Sequence, residues 1–147
     1  MSRLYYEDLA EGSQLAPLEK PPITRVQLAK YAGASGDFTA IHLDHEFARE
    51  AGLGDVIAHG MLSMGFLGQY TAGVAGPAGQ VVSLKVSFRW MVRVGDIITC
   101  TGKVIGKTVE ADRGLVTLGL TAINQEGKPV TVGEATVWLP VSGGNGS

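Results

Sequence analysis

Apolar and polar positions alternate through the second half of the chain, and a different rhythm governs the first half. Val116, Leu118 and Leu120 recur at every second residue, and Val130, Val132 and Val137 continue a β-branched pattern. Alternation of this kind marks strands with one face buried. Four strands are predicted: Val81–Trp90, Ile97–Gly106, Gly114–Asn124 and Pro129–Leu139. Gly95-Asp96, the charged stretch Glu110–Arg113 and Glu126-Gly127 separate them, the last being a hairpin signal. Ahead of the strands, Met61, Leu62, Met64, Phe66, Leu67, Tyr70 and Val74 predict a long apolar helix from about His59 to Val74. Gly60, Ser63, Gly65, Gly68, Ala72 and Gly73 fill much of its remainder. Each glycine weakens an isolated helix by up to ~1 kcal/mol, so this helix makes sense when buried and closely wrapped by a sheet. Gly76–Gly79 is read as a turn.

The first sixty residues are more polar. Met1–Gly12 is a polar lead, and Ser13–Lys20 is predicted as a short strand closed by Pro21-Pro22. Thr24 is a good N-cap for a helix over Arg25–Ala34, which Gly33 and Gly36 end. A short surface helix is predicted over His45–Gly52. Periodicity alone gives an α+β chain with a mostly antiparallel sheet.

The segment Tyr31–Asp44, YAGASGDFTAIHLD, carries candidate chemistry, with Asp37 and His42 five residues apart. A helix would turn these two side chains about 140° from one another. Gly33, Ser35, Gly36 and Thr39 favour an irregular loop instead, which can bend both toward one point. An imidazole and a carboxylate converging on one water make an acid–base pair. Taken by itself, the spacing favours a solvated helix-capping Asp and an unrelated surface His.

The wider segment resembles the signature of the MaoC-like, R-specific enoyl-CoA hydratases and related hydroxyacyl dehydratases. Tyr31, Ser35, Gly36, Asp37, Ile41, His42 and Asp44 fit that pattern, while Thr39-Ala40 stands where the family usually has Asn-Pro. The missing proline bears on loop rigidity; the acid and the base are both retained. Ala58-His59-Gly60-Met61 resembles the family's second fingerprint, at the start of the central helix. The resemblance implies that Asp37 and His42 are catalytic and that the Gly60 N–H is the oxyanion donor at the helix start. It also implies that Ser63 holds the Asp37 rotamer by a hydrogen bond. Tyr31, Ser35, Gly36, Ile41, Met61 and Arg89 are assigned to substrate binding. Arg89, Arg93 and Lys85 could meet substrate phosphates, against the plainer reading of solvated edge charges. His59 is expected to be structural and His45 to face solvent.

Composition narrows the classes. At 147 residues, 45% hydrophobic and 18% charged, the chain suits one domain with a substantial core. That domain is placed at residues 1–140, followed by a low-complexity tail at 141–147. A net charge of −2 without a basic run disfavours nucleic acid as a partner. The single cysteine, Cys100, cannot form an internal disulfide and suits a reducing cytosol. One Cys and His at 42, 45 and 59 give neither a CxxC zinc cluster nor a zincin helix, so no metal is expected. No secretory signal or run of eighteen apolar residues is present, so a cytoplasmic location without a membrane span is expected.

The resemblance runs over roughly Tyr5 to Pro140. It implies a single hot-dog fold, a curved antiparallel sheet wrapped around a long central helix. It further implies hydration of trans-2-enoyl thioesters to (3R)-3-hydroxyacyl thioesters by an activated water, with no cofactor. CoA or the phosphopantetheine of an acyl carrier protein would be the substrate handle. A homodimer is expected, or a heterodimer with a related hot-dog subunit, because the wording is similar to the catalytic subunit of actinobacterial hydroxyacyl-carrier-protein dehydratases. Two other readings are a hot-dog acyl-CoA thioesterase and an acyl-binding subunit of a two-subunit dehydratase. The absence of an acidic residue from Met61 to Gly79 opposes the first, and retention of both Asp37 and His42 opposes the second.

Overall fold

The computed structural model describes residues 3–143, so the predicted tail lies outside the described residues from 144 onward. After a 3-10 turn at Tyr6–Asp8 come β1 (Leu18–Glu19), α1 (Arg25–Ser35), α2 (Ala40–Leu43), α3 (His45–Glu50) and α4 (Gly60–Ala75). Four long strands complete the chain: β2 (Gln80–Phe88), β3 (Thr99–Glu110), β4 (Arg113–Ile123) and β5 (Pro129–Pro140). They form one antiparallel sheet in the order β1-β3-β4-β5-β2. Helix α4 packs against β5, β2, β4 and β3. A sheet wrapped on one long helix is the hot-dog arrangement.

The alternation read from the sequence is the core. Val116, Leu118, Leu120 and Ala122 on β4 are almost wholly buried, as are Val137 and Leu139 on β5. They meet Leu62, Phe66, Leu67, Tyr70 and Val74 of α4. Burying each large apolar side chain is worth about 1.5–3 kcal/mol, which outweighs the poor helix propensity of the α4 glycines.

Where elements differ from expectation, local chemistry explains the change. The predicted strand Ser13–Lys20 contracts to Leu18–Glu19. Gln14 still bridges Lys103, and Leu15 donates to the Gly102 carbonyl at 2.9 Å. Pro17 between these contacts has no N–H to add to the ladder. Strand β3 runs on to Glu110, because Glu110 pairs with Arg113 across a two-residue turn at Ala111-Asp112. Ala111 takes the left-handed φ of 56° there, which its sequence does not advertise. The other hairpin follows its signal: Asn124 Oδ1 accepts the N–H groups of Glu126 and Lys128, both at 3.0 Å.

Helix α1 starts where Thr24 Oγ1 accepts the Gln27 N–H at 3.0 Å. Gly33 lies inside it, and Gly36 alone ends it, in the left-handed region at φ 77°. That turn throws Asp37 away from the helix axis. Residues 40–43, expected as loop, form the single turn α2 that carries His42. Asp44 then caps α3, accepting the Phe47 N–H at 3.1 Å.

Candidate active site

Three short stretches of chain meet at one place: the α1–α2 connection, the segment leading into α4, and the end of β2. Asp37 follows the left-handed Gly36, and its carboxylate is held locally. Thr39 Oγ1 donates to Asp37 Oδ1 at 2.6 Å, and the Thr39 N–H donates to the same oxygen at 3.2 Å. The hydroxyl bond first, and the backbone bond second, keep the Asp37 carboxyl below the usual carboxylate range. Asp37 is therefore ionised at neutral pH. Oδ2 remains free for other partners and lies 4.0 Å from His42 Nε2. That gap is too long for a direct hydrogen bond and suits a bridging water.

His42 is oriented from its other side. Its Nδ1 lies 2.7 Å from the Ile57 carbonyl oxygen. A carbonyl can only accept, so the proton of neutral His42 sits on Nδ1 and Nε2 presents a lone pair toward Asp37. Only 11% of the His42 side chain is exposed, against 46% for Asp37.

His59 lies beneath the pair and is buried. Its ring stacks on His42 with centroids 3.9 Å apart and an interplanar angle of 22°. Tyr31 packs on it, tilted, at 4.7 Å. His59 Nε2 donates to the Asp37 carbonyl at 3.0 Å. The expected structural role of His59 is thus visible as a link among Tyr31, Asp37 and His42. Donor atoms of Asp37, His42 and His59 all fall within 4.8 Å of one another, a spacing a metal ion would tolerate. Nδ1 of His42 and Nε2 of His59 already face carbonyl oxygens, however, which leaves one open imidazole nitrogen on each ring.

Gly60 opens α4, so its N–H is among those that helix geometry leaves without an i−4 acceptor. A cleft of about 430 Å³ lies in front of it. His42, His59, Gly60 and Ser63 line it, together with Phe88, Arg89 and Trp90 from the end of β2 and the residues after it. A Cβ at Gly60 would come 3.3 Å from the Phe88 ring, so glycine keeps the helix start open to the cleft.

One expected contact is corrected. Ser63 does not hydrogen-bond Asp37: its hydroxyl donates to the Gly60 carbonyl at 2.9 Å and pairs with Thr131 Oγ1 at 2.6 Å. Being one helical turn beyond Gly60, Ser63 reaches back to its own helix and across to β5, and Thr39 supplies the bond to Asp37. The other expected positions divide. Arg89 lines the cleft, whereas Tyr31, Ser35, Gly36, Ile41 and Met61 do not. Ser35 Oγ accepts the Asp37 N–H at 3.3 Å, and the Ile41 carbonyl accepts the Ile57 N–H at 3.1 Å. Both therefore shape the backbone around the pair, while Met61 stands exposed. The Arg93 guanidinium donates to the Leu53 carbonyl, and Lys85 lies exposed on β2. His45 is half-exposed and bonds Asp55.

Thr39, Ile57 and Thr131 complete the site, in roles that the sequence alone did not single out. Thr39 had a signal, since Asp-x-Thr favours a side-chain bond to the backbone two residues on. Ile57 acts through its main chain and has none. Thr131 stands out only as a hydroxyl between two valines of β5.

A model of the MaoC like domain matches residues 10–126. The chain belongs to the MaoC-like family. The (R)-specific enoyl-CoA hydratase of Rhodospirillum rubrum is 36% identical to this MaoC-like chain over 140 residues, covering 95% of it and 94% of the relative. Unliganded R-hydratase PhaJ1 from Pseudomonas aeruginosa superposes with a TM-score of 0.85 at 30% identity, covering 95% of this chain and 88% of that one. The (R)-hydratase from A. caviae gives a TM-score of 0.78 at 31% identity, with 91% and 99% covered. The MaoC-like assignment thus spans the Asp37–His42 pair and the start of α4 together.

Proposed function

We propose that this chain reversibly adds water to trans-2-enoyl thioesters, forming (3R)-3-hydroxyacyl thioesters. The observation that carries the reading is the 4.0 Å gap between two acceptors, His42 Nε2 and Asp37 Oδ2. A water in that gap gives one hydrogen to each and turns its oxygen toward the substrate. Because Thr39 holds Asp37 in its ionised form, His42 is the better proton acceptor of the two. As the oxygen bonds to C3, the water proton passes to Nε2, and the C2–C3 electron pair moves toward the thioester oxygen. The Gly60 N–H at the positive end of α4 stabilises that oxygen. The imidazolium then returns its proton to C2 on the same face, which makes the addition syn. Asp37 steadies the imidazolium. Dehydration is the same path reversed. These steps use no metal or redox cofactor.

The R configuration is supported by the R-specific hydratases among the relatives. CoA or a carrier-protein phosphopantetheine is the proposed handle, with Arg89 at the cleft rim as a phosphate contact. Helix α4 carries no acidic residue, which favours hydration over thioester hydrolysis. With crotonyl-CoA, absorbance at the enoyl-thioester band should fall, chiral analysis should return the 3R alcohol, and free thiol should not accumulate. Steady thiol release would instead establish a thioesterase, and an S product would overturn the proposed placement of water and thioester.

The proposed assembly is a homodimer or a pair with a related hot-dog subunit. Its support is β2, which pairs with β5 on one side only among the described residues. Unpaired strand edges invite a further strand, and Phe88 and Trp90 stand about half exposed beside the cleft. Light scattering at micromolar concentration should report more than one chain per particle. A monodisperse species of 15.4 kDa would end that reading. No helix among the described residues is long and apolar enough to cross a membrane; the proposed location is the cytoplasm.

A further inference from the structure

The Ile57 carbonyl that fixes the His42 tautomer belongs to the segment 53–58, and the anchoring of that segment lies outside the cleft. The central anchor is Asp55. Both carboxylate oxygens of Asp55 take the Arg25 guanidinium in a two-pronged pair, with the Nη1 contact at 3.0 Å. Asp55 Oδ1 also lies 2.7 Å from His45 Nδ1 and accepts the Val56 N–H at 2.7 Å. One carboxylate therefore ties the start of α1, the start of α3 and its own backbone together. Two residues on, the Ile57 carbonyl meets His42. We infer that Asp55 is a positioning residue for the reaction, acting through the 55–57 backbone to hold His42 with its proton on Nδ1 and its lone pair on Nε2.

Three features favour positioning over a plain surface ion pair. An exposed ion pair usually contributes little to stability. Here, however, the carboxylate has three separate partners, one of them bidentate, and such pairs fix orientation as well as charge. Val56 is buried, so the chain between Asp55 and Ile57 is fixed by packing and transmits a displacement at one to the other. His42 and His45 lie on consecutive short helices, and both bond this segment through Nδ1, one to Ile57 and one to Asp55. The segment is thus held at residues 55 and 57 by side chains of two neighbouring helices. Losing the Asp55 contacts leaves the Ile57 carbonyl secured by the Ile57 N–H bond to Ile41 and the Ala58 N–H bond to Val92. The fold should survive, with the carbonyl less well aimed.

The inference rests on the hydratase reading for its kinetic arm alone. In full-length protein, Asp55→Ala should lower kcat with crotonyl-CoA by about tenfold, a modest misplacement effect, while KM stays within about twofold. Asp55→Glu, which keeps the charge, should restore most of the loss. Two-bond proton–nitrogen spectra of imidazole-labelled protein supply the arm that does not depend on turnover. Wild-type His42 should show Nδ1 protonated and Nε2 bare, and Asp55→Ala should move both signals toward the average of two tautomers. His45→Ala, at a half-exposed position, should move them the same way by less and serves if Asp55→Ala does not fold. If the His42 signals are unchanged in the folded variants, the inference is overturned, even if thermal stability falls. Absence of hydratase activity in the wild type would remove the function reading and leave the spectral test standing.

Discussion

Asp37→Asn and His42→Ala should each lower kcat by at least ~100-fold, the lower range for positioned acid–base groups, while both proteins remain folded. Asn keeps the size of Asp37, and its carbonyl can still accept both bonds from Thr39. What disappears is the negative charge facing His42 and one of the two acceptors for the water. His42→Ala removes the other acceptor and exposes one face of His59, which remains held by Tyr31 and by its bond to the Asp37 carbonyl. Because the two groups act on one water, the double variant should be little worse than either single one. Steady-state rates at the enoyl-thioester band, with circular dichroism as the fold check, decide the matter. More than half the wild-type rate in either folded variant would sink the assignment.

The second large effect should come from a main-chain atom. Gly60 is the first residue of α4, where a proline is tolerated because its missing N–H has no helical acceptor to lose. The preceding His59 has φ −60° and ψ 135°, the extended conformation that a following proline requires. Gly60→Pro should therefore preserve the helix and delete the proposed oxyanion donor, lowering kcat by ~100- to 1,000-fold. Gly60→Ala is the control. It keeps the N–H but adds a Cβ 3.3 Å from the half-exposed Phe88 ring, which has room to move. The alanine variant should lose far less activity. Equal losses in the two would mean that crowding of the cleft, and not the N–H, explains the effect.

Most of the fold was legible because it rests on side-chain periodicity. The alternation of Val116, Leu118 and Leu120 and the apolar length of α4 are properties of residue type, and each reappears as core. Exceptions fall where backbone geometry decides. Pro17 cuts β1 short, Ala111 accepts a left-handed turn, and α2 forms over four residues that carry no periodic signal. The candidate site divides along the same line. Asp37, His42 and Gly60 stood out by chemistry and by their resemblance to known motifs. Ser63 lines the cleft without the expected bond to Asp37, because one turn of helix aims its hydroxyl at Gly60 and Thr131. Thr39 takes the place assigned to it, since a residue two positions from a carboxylate reaches it without any tertiary contact.

The contacts that align this centre draw heavily on peptide groups. His42 is aimed by the carbonyl of residue 57, His59 by the carbonyl of residue 37, and the substrate oxygen, in the proposed reaction, by the amide of residue 60. Evolution can therefore exchange the Ile57 side chain for another apolar one without altering the atom that does the aiming. Alanine scanning at position 57 would report the packing of a buried side chain and not the carbonyl that does the aiming. Replacing the peptide link after residue 57 by an ester, which weakens the carbonyl as an acceptor, removes the Ala58 N–H bond to Val92 and spares every side chain, is the change that reaches it.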